Sequence, residues 1–161
     1  MLHVRADAPG PGVKIGKLGN FDFPRGHYLY AGSALNSLWP RLRRHFTPGG
    51  RAHWHIDHLL RRTTASAAWV ALTDRRLECE LARSIGSLAG ASRWPPGFGS
   101  SDCRCGGHLF AFTVPPPVES VAAAFARVGL ECRIVGLADF TAPRCSDNRR
   151  PPIPAEGGRQ A

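Results

Sequence analysis

The chain has 161 residues and a mass of 17.4 kDa, the size of one domain with at most a short appendage. Hydrophobic residues make up 43% and charged residues 20%, which excludes wholesale disorder, and no apolar run approaches the roughly 20 residues of a membrane-spanning helix. Lys+Arg 21 against Asp+Glu 12 gives a net charge of +9, which favours a polyanion, above all a nucleic acid, as partner. The excess is concentrated. Residues 41–62 hold Arg41, Arg43, Arg44, Arg51, Arg61 and Arg62 against a single acid, Asp57. Five cysteines, an odd number, and an opening Met1–Asp7 without a long apolar stretch argue against a secreted disulfide framework. The expectation is a cytoplasmic protein with reduced thiols.

Residues 13–33 read as extended structure broken by turns. Gly19-Asn20 is a turn, 21–26 a loop, and His27 to Ala31 a short aromatic-rich strand stopped at Gly32-Ser33. A helix follows, capped by Asn36 or Ser37, with Pro40 tolerated in its first turn and Pro48-Gly49-Gly50 beyond its end. His53 to Arg62 places Ile56, Leu59 and Leu60 at helical spacing. Residues 67–72 form a buried strand, and Thr73 or Asp74 caps a helix whose inner face is Leu77, Leu81, Ile85 and Leu88. Residues 95–107 are a loop long enough to suspect a function, and 108–114 a final strand ended by three prolines. The domain boundary is drawn there: 1–114 as the domain, 115–161 as an extension with one Ala-rich helix at 118–130. A Pro/Arg/Gly-rich tail runs on from Ala142.

The segment Tyr30-Ala31-Gly32-Ser33-Ala34 puts a tyrosine hydroxyl beside a glycine turn that a phosphate can approach. Arg41 and His45 are four residues apart and project from one helix face. A guanidinium grips phosphate oxygens and stays charged, and an imidazole beside it orients a leaving group or a water. Glu78 adds one carboxylate, enough for a Mg²⁺ or Mn²⁺ ion that keeps most of its water, with Glu80 as the competing ligand. Together these types suit one-metal hydrolysis of a phosphodiester. Arg43, Arg44, His55 and Arg61 are the accompanying nucleic-acid contacts.

Two other sets invite a metal. His53, His55 and His58 diverge around a helix and are read as surface or helix-start histidines. Cys103, Cys105 and His108, with Cys79, offer the types and number for tetrahedral zinc; the other reading is a loop whose thiols pack as small apolar groups.

The stretch 30–34 with Arg41 and His45 resembles the second motif and following helix of the GIY-YIG nucleases. The fit is closer to their Uri-type subfamily. That closer likeness is carried by Gly16-Lys17-Leu18-Gly19-Asn20-Phe21-Asp22-Phe23-Pro24, by His53-Trp54-His55-Ile56-Asp57, and by residues 96–105. The resemblance covers about residues 1–114. It implies a small α/β domain, a three-stranded antiparallel sheet flanked by helices, that cuts DNA (branched or damaged DNA included) with one divalent metal. It also implies that Tyr30 positions or deprotonates the attacking water, Arg41 stabilises the charge on phosphorus, His45 matches a histidine of part of the family, and Glu78 holds the metal. The family's first motif carries a tyrosine just ahead of the segment matching Leu2–Val4, and no tyrosine precedes Tyr28 here. The opening strand is therefore expected to be truncated, either by a start placed too far downstream or by loss of the residue, with Tyr28 as a partial substitute. The alternative function is a nucleic-acid-binding module with impaired catalysis.

Overall fold

A computed structural model describes residues 1–34 and 37–141. Asn36, named above as a possible cap, and the tail from Ala142 lie outside the described residues. The elements are β1 (Leu2–Ala6), β2 (Gly10–Ile15), β3 (Gly19–Phe23), β4 (Gly26–Tyr30), α1 (Leu38–Phe46), α2 (His55–Leu60), β5 (Thr64–Val70), α3 (Glu78–Gly86), β6 (Ser92–Arg93), β7 (Leu109–Phe112), α4 (Val118–Ala126), β8 (Arg133–Val135) and α5 (Ala138–Thr141). The mixed α/β class expected from the sequence is present. The three-stranded sheet is not. Six strands form one sheet in the order β6-β7-β4-β1-β5-β8, every pairing antiparallel, and β2 with β3 forms a separate hairpin.

β1 is at the centre of that sheet. Leu2, Val4 and Ala6 alternate inward, so a half-buried strand forms from only five residues, and it pairs with β4 on one side and β5 on the other. The opening strand thus supports the fold from inside the sheet. Leu2 stands opposite Tyr30, which puts the start of β1 beside the end of β4.

The sheet has two covered faces, and the alternation of side chains explains both. Tyr28, Tyr30, Leu109 and Ala68 point to one face, where Leu42 and Phe46 of α1, Ile56 and Leu59 of α2, and Phe23 of the hairpin pack. Leu29, Trp69, Phe110 and Phe112 point to the other, against Leu81 and Ile85 of α3 and Val121 and Phe125 of α4. Because α4 fills that second core and β8 pairs with β5 and adds buried Val135 to the first, the core runs past residue 114, where the boundary was drawn. The helix expected at 118–130 is α4, nine residues long, stopped before Gly129, whose φ is +73°.

Local differences have local causes. Residues 19–23, read as turn and loop, form β3, since Asn20 and Phe21 pair with Lys14 and Val13 across the hairpin. α3 begins at Glu78, not after Thr73 or Asp74, because the Thr73 hydroxyl accepts the Arg75 amide in a local turn. Ser37 flanks α1 without a side-chain cap. Among the described residues, no helix is long and apolar enough to cross a membrane.

Candidate active site and metal centre

Three elements bring the phosphate-type residues together. β4 ends in Tyr30, the chain turns through Gly32-Ser33, and α1 and α3 present Arg41, His45 and Glu78 to the same cleft, a cavity of about 800 Å³. Tyr30 is 6% exposed and is clasped by backbone. A Cβ on Gly32 would lie 2.9 Å from its ring, and one on Gly99 2.7 Å from it, so both positions need glycine for that approach. Burial pushes the Tyr30 phenol up to about 12, against the pull of Arg41, so at neutral pH it is a hydroxyl and not a phenolate.

Arg41 is fixed from two sides. Its Nη1 donates to the Ser33 carbonyl at 2.6 Å, and its guanidinium lies over the Trp54 ring at 4.9 Å. Glu78 receives Ser33 in turn. The Ser33 amide and hydroxyl donate to Oε2 at 3.1 and 2.7 Å, and Oε1 faces His108 Nδ1 at 2.8 Å. Burial alone would raise the Glu78 carboxyl, but the hydrogen bonds from His108 and Ser33 outweigh it and hold the group below its ordinary value. Glu80 is exposed. Ser33 was quoted within the motif but given no role; the signal for it is its place one residue after a glycine that closes on Tyr30.

His45 is 4% exposed, with Nδ1 3.6 Å from Asp57 Oδ1. Burial, helped by Arg41 and Arg44, lowers its pKa to about 4, so it is neutral near pH 7. Asp57, the lone acid of the basic segment, accepts the His53 and Trp54 amides at 3.0 Å each and starts α2. Its carboxyl would rise through burial, but those amides and the charge of Arg44 keep it low.

Several expected site residues stand elsewhere. Tyr28 is buried and its hydroxyl donates to the Pro24 carbonyl at 2.6 Å, so it is a core residue and no substitute for a cleft tyrosine. His55 accepts the Gly99 amide through Nδ1 at 3.0 Å and packs on Phe98; its role is to hold the 95–107 loop, where a nucleic-acid contact was expected. Arg44 turns to Asp57 at 3.5 Å. Arg61 donates to the Gly50 carbonyl at 3.3 Å, while Arg43, Arg51 and Arg62 are exposed.

The second constellation lies behind Glu78. Cys79, Cys103, Cys105 and His108 bring their ligand atoms within 4.8 Å of one another, and this Cys₃His cluster can hold a metal such as zinc. His108 is 1% exposed, with Nε2 3.5 Å from Cys103 Sγ. Its imidazole would be lowered by burial, yet the Glu78 carboxylate raises it above the ordinary value. Hydrogen bonding to Cys105, together with burial and Cys103, pushes the Cys79 thiol up to about 12.

A family model described as a domain of unknown function, DUF123, matches residues 1–130. No curated protein and no solved structure matches the chain.

Proposed function

The chain belongs to the DUF123 family, and from that premise we propose that it is a DNA endonuclease that hydrolyses phosphodiester bonds at the Tyr30–Arg41–Glu78 cleft. One observation carries the reading. Residues 48 positions apart, from Tyr30 to Glu78, line one cavity, and they are the types that phosphoryl transfer to water requires. The exposed arginines Arg43, Arg51, Arg61 and Arg62 supply the sequence-independent part of DNA binding.

In this mechanism Arg41 binds the scissile phosphate and stabilises the charge that grows on its oxygens, the guanidinium being preset by Ser33 and Trp54. Tyr30 acts as a neutral hydroxyl that orients the attacking water, since its phenol stays protonated. Neutral His45 borders the same space, where it can accept or relay a proton. The donor set suits a hydrated Mg²⁺ or Mn²⁺. Glu78 lines the cleft, and one carboxylate with several waters is an ordinary Mg²⁺ environment. Such an ion supplies Lewis-acid stabilisation of the phosphate.

The second reading, a nucleic-acid-binding module without catalysis, has one observation behind it: the Tyr28 hydroxyl is held by Pro24, so the cleft has Tyr30 as its tyrosine among the described residues. Nicking of supercoiled and branched DNA separates the two. The expected result is cutting that depends on added Mg²⁺ and falls about 10²- to 10³-fold in Arg41→Ala, with binding reduced far less. DNA binding without cutting by the wild type would establish the binding module instead. Omission of Mg²⁺ is the right control, because a strong chelator would also attack the thiol cluster.

A further inference from the structure

We propose that Cys79, Cys103, Cys105 and His108 hold a structural zinc ion, and that the ion sets the position of Glu78 through His108. The first half is independent of the nuclease reading; the second rests on the cleft described above.

The ligand set is complete and comes from two separate parts of the fold. Cys79 is the second residue of α3, and the other three lie in the 95–107 loop and at its exit into β7. In a tetrahedral zinc site with metal–sulfur bonds of about 2.3 Å, neighbouring ligand atoms stand about 3.5–3.8 Å apart. Here all four lie within 4.8 Å, and Cys103 Sγ to His108 Nε2 is already 3.5 Å. Three thiols and one imidazole converge; a disulfide would use two sulfurs and leave the third and the imidazole unexplained. Thiolate donors select zinc over the hard cations that suit the cleft. With four protein ligands no coordination position remains for substrate, so the ion is structural.

His108 has the orientation such a ligand needs. Its Nδ1 is committed to Glu78 Oε1 at 2.8 Å, which leaves the Nε2 lone pair facing the sulfurs. An outer carboxylate of this kind fixes both tautomer and ring angle. The same carboxylate takes the Ser33 amide and hydroxyl, and the Ser33 carbonyl takes Arg41. Three consecutive links therefore join a metal ligand to the phosphate-binding arginine. Glu78 is a positioning residue for the zinc as well as the carboxylate of the cleft.

The test is metal analysis of the full chain purified under reducing conditions, with cobalt substitution as its spectroscopic counterpart. The expected results are stoichiometric zinc, and for the cobalt form intense visible bands with thiolate charge transfer. Cys103→Ser and Cys105→Ser should each weaken the charge transfer. Glu78→Gln should keep the spectrum but lose metal to a competing chelator at about 10- to 100-fold lower concentration. Absence of both stoichiometric zinc and a cobalt spectrum in the wild type would overturn the site, as would a disulfide between two of these cysteines in the isolated protein. Unchanged metal affinity in Glu78→Gln would overturn the coupling alone. Failure to cut DNA leaves every one of these readouts intact, so the two readings fail separately.

Discussion

On one side of Glu78, three sulfurs and an imidazole nitrogen crowd within 4.8 Å; on the other, Tyr30, Arg41 and His45 line a cavity of about 800 Å³. The cluster is closed and uses up its own donors. The cleft is open and holds its polar groups in place without consuming them: Arg41 still presents guanidinium donors beyond the one bound to Ser33. Tight convergence belongs to a group that stays bound, and spacing belongs to a group that must enter and leave. One carboxylate serves both regions because its two oxygens point in different directions, Oε1 to His108 and Oε2 to Ser33.

The comparison is broken most severely from the cluster side. The 95–107 loop is held by backbone bonds such as Gly97 to the Gly106 carbonyl at 2.8 Å, by the Gly99 amide bonded to His55, by buried Phe98 and by the cluster. Stripping the proposed zinc should lower stability by roughly 5 kcal/mol or more, a fall of about 10–20 °C in Tm. Thermal unfolding before and after chelation, followed by zinc restoration, checks it. An unchanged Tm would mean that the loop stands without a metal.

Acid attacks the other side. His45 lies among Arg41, Arg44 and Asp57, and its pKa is lowered from 6.5 to about 4 in the folded chain. The unfolded chain takes up that proton from about pH 6.5 downward, whereas the folded chain takes it up only near pH 4. Stability from neutral His45 is therefore whole above pH 6.5 and lost progressively as the pH falls to about 4, a change of about 3 kcal/mol. Urea unfolding of wild type beside His45→Gln isolates the contribution, and parallel pH profiles for the two would refute it.

Gly99 stands where the loop meets the cleft. Its φ is +76°, and a Cβ would come within 2.7 Å of the Tyr30 ring. Gly99→Ala should cost about 2–3 kcal/mol from backbone strain and overpacking, and should move Tyr30, which its near-ultraviolet circular dichroism reports. The smallest effect separates the two tyrosines of β4. Tyr28→Phe removes the bond to Pro24 and should cost about 1 kcal/mol while leaving nicking unchanged. Tyr30→Phe should do the reverse, and equal loss of nicking from both would return Tyr28 to the proposed catalytic groups.

Much of this was legible in the chain. The apolar runs at 67–72 and 108–114 mark β5 and β7, the Pro48-Gly49-Gly50 stop marks the end of α1, helical spacing marks α2, and the Tyr30–Ala34 motif with Arg41 and His45 marks the cleft, because these are local patterns fixed by backbone geometry. The cysteines and His108 show their chemistry in their types. What the chain did not show is proximity. Cys79 is 24 residues before Cys103, and only the packing of α3 against β7 brings them together. The role of Tyr28 was equally hidden, since i and i+2 share a strand face but not a depth along it.

Sequence alone therefore determined the basic α/β character of this protein, its helices α1 to α4, its strands β4, β5 and β7 and the identities of its chemically able residues, all set by short-range spacing and side-chain chemistry. Tertiary structure alone decided that β1 is a central strand, that α4 and β8 complete the domain, and that Glu78 is shared between cleft and cluster. Those are long-range pairings. They depend on which buried faces and which hydrogen-bonding groups meet after the chain closes on itself, and no local pattern encodes that meeting.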